Sequence, residues 1–136
     1  MLLEPAYLYI NMLSAASSLA HMGHFDFTFM PWLRLQVVRS LNEALNDSQR
    51  AAHVGVILTA IRIAFHEIII GDAATGTRVH RPASVKMIAI AGSLENLGLS
   101  SLVYKHVAWY DRLMTERTGV SMEQLSPNAV RKRLPR

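Results

Sequence analysis

The segment 80–111, HRPASVKMIAIAGSLENLGLSSLVYKHVAWYD, decides how the rest of the chain is read. Two runs of helix-forming residues flank the turn Gly92-Ser93-Leu94-Glu95-Asn96-Leu97-Gly98. The first run predicts a helix over about 81–91, with Pro82 in its first turn, where a missing backbone N–H costs nothing. The second predicts a helix over about 100–117, with Leu102, Val103, His106, Val107, Tyr110, Leu113 and Met114 on its buried face. The turn is apolar for a surface loop, so Leu94 and Leu97 are expected to tuck beneath the two helices. Gly92 and Gly98 supply backbone angles that other residues resist.

The same reading extends upstream. Residues 48–70 are apolar almost all round, with Val54, Val56, Ile57, Leu58, Ile61, Ile63, Phe65, Ile68, Ile69 and Ile70. A helix of that kind is normally surrounded by others. Asp47 or Ser48 is expected to cap it and Gly71 to stop it, leaving 72–77 as a loop. Before it, Pro31 opens a helix whose buried stripe is Leu33, Val37, Leu41, Ala44 and Leu45. The first helix covers about 5–22, with Tyr9, Met12, Leu13, Ala16, Leu19 and Ala20 at helical spacing. Between these two lies GHFDFTFM, residues 23–30, where Phe25, Phe27 and Phe29 alternate with polar residues. The alternation is strand-like but too short and isolated for a sheet. It is expected to be an aromatic connector with its rings packed inward. Residues 120–125 add at most one turn. The expected fold is all-α, an irregular array of helical pairs. About five helices pack around the central helix 48–70, as a single domain over 1–125 with a flexible basic tail at 126–136.

Composition removes several chemistries. The 136 residues contain no cysteine, which excludes disulfides, cysteine zinc sites and thiol catalysis. The formal charge is +4, but Arg131, Lys132, Arg133 and Arg136 lie in the tail. Without them, ten of the fourteen basic residues face ten acidic ones. A basic body would point to a nucleic-acid surface. A short basic tail points to nuclear import, to an acidic partner, or to a solvated end. Residues 8–20 are apolar and end in small residues, but no Lys or Arg precedes them, so a secretory signal is not expected. The longest apolar run, 51–70, carries His53, Arg62, His66 and Glu67, which are costly in lipid.

No active-site motif completes itself. His66-Glu67 begins like a helical zinc-protease motif, but the second imidazole would stand at position 70, which is Ile. His21, His24 and Asp26 are a legitimate ligand set, yet Gly23 interrupts their spacing. The glycines form no phosphate loop, and no serine stands in a nucleophile elbow. Trp32 and Trp109 read as core or interface anchors. The seven Met residues are core filler or an adaptable binding surface. No catalytic residue, cofactor or metal is therefore expected.

Read with its flanks, the turn segment resembles the fungal-specific transcription factor domain, the all-helical regulatory region that follows a binuclear zinc-cluster DNA-binding domain. The resemblance covers about 19–114. It rests on Glu67, Gly71-Asp72, His80, Met87-Ile88 with Ala91-Gly92, Leu94-Glu95-Asn96-Leu97-Gly98, and Trp109 with Asp111. Upstream, 38–45 (VRSLNEAL) is similar to the family's helix before the central one. The chain departs from the pattern at Ala91 and Val79, in its shorter length, and in lacking the six cysteines of the zinc cluster. The resemblance implies a nuclear, non-catalytic regulatory or interaction module, truncated or without its zinc cluster. Such a module would act through a protein partner, self-association or a small ligand between helices, with no sequence-specific DNA binding of its own and no membrane. A small secreted or effector-like helical protein, or a fragment with no independent role, is the alternative.

Overall fold

Glu4 and Pro5 begin the first helix for two separate reasons. The Glu4 carboxylate accepts from the Ala6 N–H at 3.3 Å, and proline at the first helical position has no N–H to leave unpaired. In the computed structural model, which describes residues 4–24 and 26–125, the elements that follow are all helical, with no strand among the described residues. They are α1 (Pro5–His21), a 3-10 turn (Phe27–Phe29), α2 (Met30–Leu45), α3 (Val54–Ile69), α4 (Arg81–Ala91), a second 3-10 turn (Glu95–Leu97), α5 (Ser101–Thr118) and α6 (Met122–Leu125). α4 is entered directly from a helical turn (Ala73–Thr75) and a π-helical stretch (Gly76–His80). The all-α expectation therefore holds. The chain forms two compact units, 1–63 and 64–136, with the division inside α3.

In the first unit α1 packs on α2 through Ala6, Ile10, Leu13, Ala16 and Ala20 on one side and Met30, Leu33, Val37, Leu41 and Ala44 on the other. The buried serines Ser17 and Ser40 are small enough for close helix approach. Met12 and Leu19, expected in the core, face outward, as does Leu45. The core stripe of α1 keeps Leu13, Ala16 and Ala20 of the expected face and is rotated away from Met12 and Leu19, so that Ala6, Ile10 and Ser17 complete it. Within α3, Val56 and Ile63 are fully buried and Thr59 returns its hydroxyl to the Gly55 carbonyl at 2.7 Å.

Two local expectations fail in this unit, and in both a side-chain cap is the reason. Asp26 accepts from the Thr28 N–H at 2.9 Å, which sets a three-residue helical turn in place of an extended segment. Phe27 and Phe29 therefore lie outward, 55% and 44% exposed. Phe27 rests on His21 with ring centroids 5.2 Å apart, and Phe29 rests on Trp32 at the same distance. Phe25 falls outside the described residues. At the start of α3, Asp47 caps a turn of its own, accepting from the Gln49 and Arg50 N–H groups at 3.0 and 3.3 Å. The helix begins only at Val54, where His53 Nδ1 accepts from the Gly55 N–H at 2.9 Å.

In the second unit Ala64, Ile68 and Met114 form a buried cluster, with Phe65, Ile69 and Tyr110 packed against it. Val85 and Ile88 of α4, Leu94 of the turn and Val107 of α5 are also buried. Leu102 and His106, expected on the buried face of α5, are exposed. The expected loop 72–77 is mostly helix. Asp72 caps it by accepting from both the backbone N–H and the hydroxyl of Thr75, at 3.2 and 2.7 Å. No helix among the described residues is long and apolar enough to cross a membrane.

Candidate functional site

Arg81 is the most constrained polar side chain of the second unit, at 1% exposure. Its Nη2 donates to Asp111 Oδ1 and to Thr115 Oγ1, both at 3.1 Å. Its Nη1 donates to Thr118 Oγ1 at 2.9 Å and to the Val120 carbonyl. The group thus ties α4, α5 and the segment after α5 to one cation. Such burial is costly unless the charge is paired and its donors are used. Four acceptors meet that demand, while Nε has no partner among the described residues. Asp111, Thr115 and Thr118 stand at i, i+4 and i+7 on α5, so one helix face presents all three. Each threonine also returns its hydroxyl to the α5 backbone, Thr115 to Asp111 and Thr118 to Met114. The arrangement is a buried clamp.

Glu67 performs a second linking role. Its Oε2 accepts from the Asp72 N–H at 2.8 Å, and its Oε1 lies 3.3 Å from Nδ1 of the equally buried His66. The carboxylate folds back over Gly71, and a Cβ on Gly71 would stand 2.6 Å from Oε2. An alanine at Gly71 would therefore have to displace the Glu67 carboxylate. Gly76 meets the same α3 surface, where an added Cβ would come within 2.8 Å of Ile68.

The turn between α4 and α5 uses its glycines differently. Gly92 has φ +106°, and the Asn96 side chain, which donates to the Ala91 carbonyl, crowds it. Gly98 has φ +67° with open space around it, so there only the angle matters. Leu94 is buried and Leu97 half-buried, as their apolar character implies. Glu95 accepts from the Tyr104 hydroxyl at 2.9 Å, fastening the turn to α5. The Glu95 carboxyl is held below its usual range by its own backbone N–H, Tyr104 and Ser93.

The residues singled out in the sequence thus fall into local arrangements. Gly71 and Asp72 belong to the Glu67 cap, and Gly92, Leu94, Leu97 and Gly98 to the turn. Asp111 belongs to the Arg81 clamp, and His80 is half-buried just before Arg81. Trp109 lies on the surface of α5, against Phe65 at 5.8 Å and Tyr110 at 5.7 Å. Arg81 was missed. Its signal was a cation at the apparent first turn of a helix, against the helix dipole, together with the polar i, i+4, i+7 stripe on α5.

Two members of the other candidate group, His21 and Asp26, are engaged locally, and His24 is exposed. His21 Nδ1 lies 2.7 Å from the Ser17 carbonyl oxygen, and Asp26 is held by Thr28. Among the described residues no three His, Asp or Glu side chains are grouped to hold a metal ion. Arg131, Lys132, Arg133 and Arg136 lie outside the described residues. No family model, curated protein or solved structure matches the chain.

Proposed function

We propose that the chain is a non-catalytic helical interaction module, related to fungal transcription regulators and acting in transcription regulation through protein or small-ligand contacts. The observation that carries this reading is the use made of the resemblance residues. Glu67 caps the turn at Gly71-Asp72, Gly92 and Gly98 shape the second turn, and Asp111 neutralises Arg81. These are the tasks of a scaffold. Around them lie exposed large apolar side chains, including Ile90, Leu102 and Trp109, the kind of surface that partners cover. Nuclear residence, with Arg131, Lys132, Arg133 and Arg136 as import signal, belongs to the same proposal.

The test is a tethering assay. The full chain is fused to a heterologous DNA-binding domain and a reporter is read beside the DNA-binding domain alone. Altered reporter output is expected, as is nuclear accumulation that is lost when the four basic tail residues become Ser. A reporter unchanged in either direction, with the fusion expressed and nuclear, overturns the regulatory reading.

A further inference from the structure

α5 turns Val107 and Met114 to the core of its unit and leaves another face open. On that face Leu102, Lys105, Trp109 and Arg112 follow one another at spacings of three, four and three residues, so they lie along one side of the helix. All four are exposed, Leu102 by 67% and Trp109 by 47%. Two stripes therefore run side by side, an apolar one at Leu102 and Trp109 and a cationic one at Lys105 and Arg112. Each repeats after seven residues. Trp109 is an anchored ring, resting on Phe65 and Tyr110 while nearly half of it stays open. Of the carboxylates close by in sequence, Asp111 is taken up by Arg81 and Glu95 by Tyr104. Glu116 and Arg117 close the face with opposite charges, so Lys105 and Arg112 set its sign. Among the described residues neither of these two cations is in an ion pair.

We infer that this face docks an acidic amphipathic helix of a partner protein, whose carboxylates meet Lys105 and Arg112 and whose apolar side chains cover Leu102 and Trp109. The inference rests on the reading of the chain as an interaction module and names the chemistry of its partner. Period selects a helix. Seven residues advance an α-helix by about 10 Å, and a partner helix with the same repeat offers apolar and charged groups at that interval. Sign selects an acidic helix, because charges beside an apolar seam decide which helices pair and both cations here lie open. A second α5 fits poorly. It brings the same two cations and can answer them with Glu116 alone, since its Asp111 is held by Arg81. Nucleic acid fits poorly as well, because its phosphates follow one another far more closely than two cations about 10 Å apart can use. An anionic bilayer would meet Glu116 on the same face as the cations, and a surface that attracts Lys and Arg repels a carboxylate. An exposed, braced tryptophan beside an arginine is the kind of anchor that carries binding energy between proteins.

Because the face is exposed, it can be altered without touching the core. In the full chain Trp32→Phe leaves Trp109 as the single tryptophan, so indole fluorescence reports on the face directly. The probes are a synthetic helical peptide with Leu and Glu stripes at the seven-residue interval, its counterpart with Lys for Glu, oligo(dT), and phosphatidylserine vesicles. The Glu peptide is expected to bind saturably, to shift the Trp109 emission to the blue, and to bind at least tenfold tighter than the Lys peptide. Lys105→Gln with Arg112→Gln is expected to abolish that preference. Lys105→Glu with Arg112→Glu is expected to reverse it, with the helical circular dichroism of the wild type kept in both. A Glu peptide bound no better than the Lys peptide overturns the inference, as does a preference that both double variants retain. Tighter binding of oligo(dT) or of the vesicles than of the Glu peptide also overturns it, as does a dimer in sedimentation equilibrium that the double variants dissolve. A Glu peptide that fails to bind beside a tethered fusion that alters its reporter sinks this inference and leaves the regulatory reading standing. Binding with an inert fusion does the reverse.

Discussion

Arg81 and Asp111 are bonded at 3.1 Å across 30 residues of sequence, yet they are buried unequally: the arginine side chain is 2% exposed and the aspartate 29%. The inequality determines which partner is dispensable. If Arg81 is removed, Asp111 can turn to water, and Thr115 and Thr118 keep their backbone bonds. If Asp111 is neutralised, a buried cation loses its counter-charge.

Asp111→Asn is therefore expected to be the more damaging change, by about 3 kcal/mol, in the range for an orphaned buried charge. Arg81→Met, which keeps volume and removes a buried donor that has no partner among the described residues, is expected to cost less than half as much. Urea unfolding of both variants checks the order. Equal or inverted costs would show that the clamp works by packing and not by charge.

The Glu67 cap makes a prediction about Gly71. Gly71→Ala forces Glu67 off the Asp72 N–H and is expected to destabilise by about 1–2 kcal/mol, the usual cost of a lost cap. In a Glu67→Ala background the added methyl has nothing to displace. A double-mutant cycle is expected to give a coupling near 1 kcal/mol. Simple additivity would mean that Gly71 is needed for another reason.

Gly98 differs, since its neighbourhood is open and only its angle is demanding. Gly98→Asn is expected to cost a few tenths of a kcal/mol and Gly98→Val more than about 1 kcal/mol, because asparagine tolerates the left-handed region and β-branched residues do not. Thermal midpoints of the two variants decide this.

Glu4 predicts a pH dependence. Its pKa is lowered from the usual 4.5, first by the hydrogen bonds from Arg50 and against the opposing effect of burial, with the Ala6 N–H adding to the depression. A depressed folded-state pKa contributes stability that is fully present above the unfolded value and is lost as pH falls through the folded one. The thermal midpoint of the wild type is therefore expected to exceed that of Glu4→Gln at pH 7, and the gap to close as the solution is acidified below about pH 4. A gap that stays constant from pH 7 to pH 2 would count against the ion pair.

Much of the fold was legible in the sequence because it rests on period and punctuation. Leu33, Val37, Leu41 and Ala44 are buried as their spacing requires, and Gly92 and Gly98 bound their turn. The errors of boundary share one physical cause. Asp26, Asp47 and Asp72 each cap a short turn with a side chain and His53 caps the start of α3, and a cap shifts a boundary without changing the surrounding apolar pattern. Met12 and Leu19 of α1 face outward against expectation because period alone does not say which of two adjoining apolar stripes a neighbour covers. Of the buried polar arrangements, His66-Glu67, the Gly71-Asp72 pair and Asp111 stand out in the sequence, though not the cap and the clamp that they form. Arg81, their strongest member, shows locally only as a cation in the first turn of a helix, and the acceptors that explain it stand at least 30 residues away.

The π-helical stretch 76–80 acts as a phase shifter. A π turn holds one residue more than an α turn, so everything after it is rotated by about 100° from where an uninterrupted α-helix would carry it. Arg81 is the first residue beyond the stretch, and its inward aim depends on that rotation. Removing a single residue from 76–80 would straighten the helix locally and swing Arg81 away from Asp111, a change in angular register that no substitution within the clamp reproduces. The stretch is consequently constrained in length as well as in composition, where Gly76 leaves no room for a side chain.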